Sequence, residues 1–495
     1  MKRIYSIICF VLMAIAMTAQ PGVVKKTSKG VLKVTTFKSD GTLLATGYGA
    51  FIDADGIALT AWTPFVGASS AVVIDGQGKK YDVDCIFGAS AIYNVARIRV
   101  KKEPKSTIQP LQLEQDAMAV GGEAWVVGYE VKSPKFTKMQ VHEVETFNTD
   151  MPYYIFEQTN GEIKDEHIGM PFVNTQGQLM GLTNTSSTRT DLYVACARYA
   201  QSLQPSLWAS NDNVLRNTNV RIALPNDYNG ALFAMMLASQ KNDSINYPAT
   251  VEDFIALFPD KEDGYEYKAN MLTDKQRFEE ADAMMQKAIE VSQNKDNAHY
   301  TFSKLIYNKE LLMSDIAFEP WTLDKAISEI DQAIAINPIP TYSVHKGRVL
   351  FSKKQYEDAL HIFNEICAST YRDADVYYYA YQCLKSMNKD QDKQVEMLDS
   401  SIVIAPRQLT YKAEKALLLM KMNRNADAIE VCKDIVTQNP YYAEAHGLLG
   451  LALCRDDKKE VGVAELKRAK QMGYIQAEAF LRKYDKPSST PAQNE

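Results

Sequence analysis

The sequence predicts a multidomain chain in which an all-β N-terminal domain precedes an all-α solenoid of helical repeats. Three observations carry this. At 495 residues the chain exceeds what one hydrophobic core supports and requires two or three domains. From about Lys25 to Gln204, short β-rich stretches are separated by Gly, Asp, Asn and Pro, the punctuation of many short strands. From about Tyr265 onward a helical unit recurs at a fixed period. A formal charge of −6 without long like-charge runs offers no basic surface, so nucleic acid and acidic membrane are not expected partners.

The chain opens with Lys2 and Arg3 ahead of an apolar stretch, Ile7 to Met17, that closes on small residues near Ala19. This is the pattern of a secretory leader spanning residues 1–19. The apolar stretch is shorter than the roughly 20 residues a spanning helix needs, which weighs against an uncleaved anchor. Cys9 lies inside that stretch and no Cys stands at the cleavage region, so lipid attachment is not indicated. No later segment is long and apolar enough to span a bilayer, and the mature protein is expected outside the cytoplasm. Its place there is the periplasm or the extracellular space, with or without attachment to the envelope. Six cysteines follow the leader, an even number that permits disulfides in an exported chain. Four of them, Cys367, Cys383, Cys432 and Cys454, fall in apolar helical stripes and read as small buried hydrophobes. No pair has metal-ligand spacing. Neither a phosphate-cradling glycine loop nor a dinucleotide fingerprint occurs, so no cofactor is expected.

The next element, residues 25–204, contains GVLKVTTF, LLATGYGAFID, GIALTAW, SAVVI, KYDVDCIFG, VARIRV, GEAWVVGY, KMQVHEVETF, YYIFEQT, QGQLMGLTN and DLYVACARYA. Such spacing predicts an all-β barrel or sandwich. The order GYGAFIDADGIALTAW, YNVARIRV, EAWVVGY and EHIGMPFVNTQGQLMGL resembles trypsin-like serine proteases, particularly the bacterial periplasmic heat-shock branch. The resemblance implies a chymotrypsin-like double barrel. In that family the first segment ends in a histidine base, the second begins with the aspartate that orients it, and the fourth holds the serine nucleophile. Carried across, those positions fall on Thr63, Asn94 and Ile168, with Gly169 and Pro171 still matching the turn around the serine. Ile168 has no nucleophilic atom, Thr63 takes no proton near neutral pH, and Asn94 has no charge to steady an imidazolium. The resemblance therefore implies a pseudoprotease with a degenerate triad. The alternative is an active serine endopeptidase with a rearranged site, in which His167 beside Glu166 acts as base for Ser186 or Ser187. Met170 replaces a glycine of the turn that would build the oxyanion hole, which weighs against it.

Residues 205–261 are polar and turn-rich around one short helical run, ALFAMMLASQ, and read as a linker with short helices. A further helix is expected at Val251–Phe258, stopped by Pro259.

Residues 262–484 hold the repeats. A small residue is followed by apolar ones four and seven positions later at Ala281, Ala326, Ala359, Ala428 and Gly462, and Gln394 takes the small position once. Pro338, Pro406 and Pro440 end three of these helices at separations of 68 and 34 residues. That is two periods and one of the tetratricopeptide spacing, and the chain resembles that family over about six repeats. The step from Ala281 to Ala326 is 45 residues, so an insertion of about eleven, within Leu311–Trp321, interrupts the second repeat. The resemblance implies a groove lined by first helices that binds an extended peptide or partner helix. By repeat register Thr341, Val344, Arg348, Tyr379, Cys383 and Thr410 face it. Residues 485–495 read as a disordered tail. The whole is expected to be a non-catalytic exported scaffold or adaptor for protein or peptide partners.

Overall fold

The computed structural model describes residues 22–131, 134–146, 151–157, 165–184, 191–206, 212–240, 246–371 and 373–485. The expected leader, Ser186, Ser187 and all but the first residue of the expected tail lie outside them. The chain divides into two compact units, Met1–Pro259 and Asp260–Glu495.

In the first unit a short helix α1 (Gly22–Thr27) leads, among the described residues, into twelve strands. The first six are β1 (Val31–Phe37), β2 (Leu43–Phe51), β3 (Ile57–Ala61), β4 (Ser70–Asp75), β5 (Lys80–Ser90) and β6 (Val95–Val100). They close into a barrel in the order β1-β2-β3-β6-β5-β4. A second barrel repeats that order as β10-β11-β12-β9-β8-β7. Its strands are β7 (Glu123–Val127), β8 (Phe136–Thr146), β9 (Pro152–Glu157), β10 (Pro171–Asn174), β11 (Leu179–Thr183) and β12 (Asp191–Cys196). This is the chymotrypsin-like double barrel that the resemblance implied.

Successive side chains on a strand point to opposite faces, and here many strands bury both. Leu32 and Ala58 fill the first barrel, while their neighbours Val31 and Leu59 join Trp125, Val127, Tyr153 and Leu182 in a core shared by the two barrels. The second barrel encloses Tyr154, Phe156, Phe172 and Val194. Strands buried on both sides do not alternate with polar residues. The four-residue β10, buried throughout, lies outside the β-rich stretches expected from the sequence.

The segment expected as a linker packs onto the first barrel. Leu215 and Val220 enter that barrel's core, with Val214 and Ile222 against it. Ile86 N donates to Arg221 O and Ala223 N to Ile86 O, each at 2.9 Å, so residues 221–223 extend the backbone pairing of β5. Two helices follow, α2 (Tyr228–Gln240) and α3 (Asn246–Leu257). Asp253 of α3 meets Arg99 of β6 and Arg221, which also bind Asp84 of β5. The first unit thus runs past the second barrel to Pro259.

The second unit is a run of helix pairs: α4 (Glu262–Asp274) with α5 (Phe278–Val291), α6 (Lys295–Leu312) with α7 (Leu323–Ile336), and α8 (Pro340–Ser352) with α9 (Tyr356–Ala368). The run continues with α10 (Ala374–Ser386) and α11 (Gln391–Ile404), α12 (Leu409–Lys421) and α13 (Asn425–Gln438), and α14 (Ala443–Arg455) and α15 (Lys459–Gln471). The last described helix is α16 (Ala477–Tyr484). Ala281, Ala326, Ala359 and Ala428 are fully buried, as are the residues four positions after each. Gly450 and Gly462 mark a close crossing, where a Cβ on Gly450 would stand 2.7 Å from Gly462 O. The tight turn inside a pair enters the left-handed region at Gln276, Lys354, Asn423 or Asp457, and at both Asn388 and Asp390 between α10 and α11. The α6–α7 pair lacks that turn. Its insertion lengthens α6 and adds a loop that ends on the buried Trp321.

Candidate functional site

The register of β3 with β6 pairs Ala61 with Val95, so the residues just beyond that rung, Thr63 and Asn94, lie side by side. Thr63 N and Oγ1 both donate to Asn94 Oδ1 at 2.8 Å, and Trp62 N donates to Asn94 O at 3.2 Å. Asn94 holds a left-handed backbone, φ 48°, a conformation that Asn tolerates better than most residues. Its amide then passes the chain on, Asn94 Nδ2 donating to Asn184 Oδ1 at 3.0 Å. Asn184 Nδ2 reaches Tyr153 Oη at 3.5 Å, and that hydroxyl donates to Ile92 O at 2.6 Å. The network links the two barrels through neutral groups.

Ile168 and Gly169 arrive from the other barrel, between the short turn Asp165–His167 and β10. Tyr48 N donates to Ile168 O at 2.9 Å, and Gly169 N to Thr183 O at 2.9 Å. Gly169 has φ +85°, and a Cβ there would stand 2.2 Å from Tyr48 O, so the turn requires glycine. A Cβ on Gly47 would meet Pro64 Cγ at 2.8 Å and Ile168 O at 3.5 Å. The Thr63–Pro64 turn, Asn94 and the Ile168–Gly169 turn therefore converge around β2 at Gly47 and Tyr48.

The chemistry available there is limited. Thr63 and Asn94 form an uncharged pair with its donors and acceptor mutually engaged. Ile168 presents a hydrocarbon side chain, 8% exposed. The Thr183 hydroxyl donates to His167 O at 2.7 Å and accepts from Met170 N at 2.8 Å. The His167 ring lies against Tyr48, centroids 6.4 Å apart, beside the exposed Glu166. Ser186 and Ser187 are outside the described residues. Among the described residues no group of three or more His, Cys, Asp or Glu gathers as a metal set.

In the helical unit the expected groove residues separate. Arg348, Thr341 and Thr410 are exposed, Tyr379 and Val344 half-buried. Cys383 is a correction: it is 0% exposed and belongs to the core with Ala380, Leu384 and Leu398, where burial pushes its thiol up to about 12. A small apolar side chain in a first helix fills the gap against the following helix rather than facing a ligand. Cys85, Cys196, Cys367, Cys383, Cys432 and Cys454 are free thiols. No described helix is long and apolar enough to cross a membrane.

The most displaced carboxyl of this unit is Glu266 on α4. Burial first, then repulsion from Asp263 and Glu262, pushes it up to about 7 from 4.5, and its Oε1 has no hydrogen-bond partner among the described residues. The folded-state value lies above the unfolded one. Its stabilising contribution is therefore complete below pH 4.5 and lost as pH rises through about 7. Glu266→Gln is expected to match the parent near pH 5 and to exceed it by about 2 kcal/mol near pH 8, discounted for partial exposure. Urea midpoints of both proteins at the two pH values check this.

Comparison with known proteins finds two similarities. Residues 47–182 match the model of the trypsin-like peptidase domain. Over 110 residues the chain is 31% identical to a TPR repeat-containing protein of Methanocaldococcus jannaschii, a stretch that is 21% of this chain. It spans 19% of that relative's length.

Proposed function

We propose that this chain, a trypsin-like peptidase domain in a double barrel followed by a tetratricopeptide-like helical array, is an exported scaffold whose peptidase domain no longer cuts. The carrying observation is the convergence of Thr63, Asn94 and Ile168 at the place where the fold assembles base, orienting acid and nucleophile. The Thr63–Asn94 hydrogen bond keeps the contact of the two side chains while removing the proton acceptor and the charge that would serve it. Ile168 supplies no atom that could form an acyl intermediate. In this reading the surface around these three residues holds an extended chain without cleaving it. The array docks a second protein or peptide segment, and the leader at residues 1–19 supports delivery to the periplasm or beyond.

The test is incubation of the full chain with a fluorophosphonate serine probe and with an unfolded protein substrate. No serine of the β domain is expected to be labelled and no fragments should appear. Labelling at one such serine, abolished by His167→Ala, would overturn the reading in favour of a rearranged hydrolase.

A further inference from the structure

On α6, Tyr300, Lys304 and Tyr307 recur at helical spacing, and α8 presents His345 and Arg348 toward them. Arg348 lies over two rings, 5.8 Å from the Tyr307 centroid and 5.6 Å from that of Tyr379 on α10. Lys304 lies over Tyr300 at 4.3 Å. The rings are held from behind: Tyr379 stacks on the buried Phe363 at 5.4 Å, Tyr300 packs on Tyr342 at 4.9 Å, and Tyr307 Oη reaches Ser352 Oγ at 3.1 Å. A guanidinium stacked on aromatic faces keeps its N–H fork free at the edge. Arg348 is exposed, and among the described residues neither it nor Lys304 has a carboxylate within salt-bridge distance.

The acidic groups nearby are engaged elsewhere. Asp373 caps α10 through Asp375 N, Asp375 accepts from Tyr411 Oη, and Glu266, which Lys304 acts on, is held up by burial. The buried His345 responds to the same field: burial, then Arg348 and Lys304, push it down to about 4, so it adds no charge near neutral pH. Two cations on an aromatic floor thus form a positive spot that, among the described residues, no carboxylate pairs with directly.

We infer that the face built from Tyr300, Lys304, Arg348 and Tyr379 receives an acidic side chain of an extended peptide, with Arg348 pairing to its carboxylate and the rings covering its methylenes. The inference rests on the reading of the array as a peptide-holding surface. A carboxylate meeting the guanidinium fork gains charge-assisted hydrogen bonds that a neutral amide does not supply, a difference of about tenfold in affinity.

Fluorescence anisotropy of the full chain with three labelled peptides tests it, all sharing one apolar background and differing only in a central Glu-Glu, Gln-Gln or Lys-Lys pair. The Glu form is expected to bind about tenfold tighter than the Gln form, with the gap narrowing as salt rises. Arg348→Gln should close that gap while leaving the Gln peptide unchanged, and Arg348→Lys should keep part of it because the charge stays while the fork is lost. Lys287→Gln, at an exposed site paired with Glu290, should leave the preference intact. Equal binding of the Glu and Gln peptides, or an unaltered preference in Arg348→Gln, would overturn the inference and leave the peptide-holding reading standing. Failure of all three peptides to bind would remove that reading and the inference with it.

Discussion

Replacing Arg221 with Met is expected to destabilise the first unit by about 3–5 kcal/mol, the range for removing one partner of a buried ion network. The Arg221 side chain is 5% exposed and reaches Asp84 and Asp253 at 2.5 Å each. Arg99 bridges the same two carboxylates, at 2.6 Å and 3.0 Å, so two cations and two anions balance. Burial alone would raise the Asp84 carboxyl. Arg221 and then Arg99 outweigh that and hold it below the ordinary carboxylate range. Its contribution is therefore present above the unfolded value of 3.8 and lost as pH falls through the lowered one. Without Arg221 one guanidinium faces two partly buried carboxylates, and the backbone pairing of residues 221–223 with β5 loses its anchor. Adding Asp253→Asn to the variant should recover part of the loss by removing one uncompensated charge. Urea unfolding of the parent and both variants at neutral pH gives the comparison. A loss under about 1 kcal/mol for Arg221→Met would mean that water screens the network as it does a surface pair.

This network also shows where the sequence stops being informative. Asp84 and Arg221 are 137 positions apart, and nothing local distinguishes Arg221 from the other charged residues of a polar, turn-rich segment. Leu215, Val220 and Ile222 are single apolar residues without a period, so their place against the first barrel is set by tertiary contact alone. The repeats behave differently. Each helix buries a stripe against its sequence neighbours, so Ala281, Met285 and Ala288 announce their burial through spacing. Register predicts a stripe better than a single position, as Cys383 shows: in α10 both the ligand-side and core-side residues are apolar or aromatic, and the pattern does not separate them. In the β unit the four-residue β10 is too short to show a period, whereas β11, equally buried, is legible through its longer apolar stretch. The Thr63–Asn94 contact was legible only through resemblance, because period and propensity carry no information about two loop residues 31 positions apart.

The insertion in the second helix pair leads to the other large effect: Trp321→Ala is expected to cost about 3–5 kcal/mol in the helical unit. An ordinary pair here closes through a three- or four-residue turn, whereas Met313–Thr322 must order ten residues between α6 and α7. Closing a longer loop costs entropy, and something within it must offset that cost. Trp321 does so. It is 1% exposed, packs against Phe278, Phe302 and Phe318 with centroids 5.7–5.9 Å away, and donates from Nε1 to Asp282 Oδ1 at 2.7 Å. Directly after it Thr322 caps α7, accepting from Lys325 N at 3.1 Å. Alanine would leave a cavity among three rings and strip Asp282 of its indole donor. Trp321→Phe should lose less, about 1–2 kcal/mol, because the ring contacts persist while the donor is removed. In a repeat array each pair is stabilised by its neighbours, so the loss should be concentrated at α5–α7 rather than spread evenly. Hydrogen exchange would then show faster opening across Phe278–Ile336, with Leu409–Gln471 close to the parent. Uniform acceleration along the whole array would instead mean that the helices unfold as one cooperative block and that the insertion carries no local role. Tyr300, Lys304 and Tyr307 lie on α6, so the loop ordered by Trp321 also steadies the helix that carries half of the cationic aromatic face.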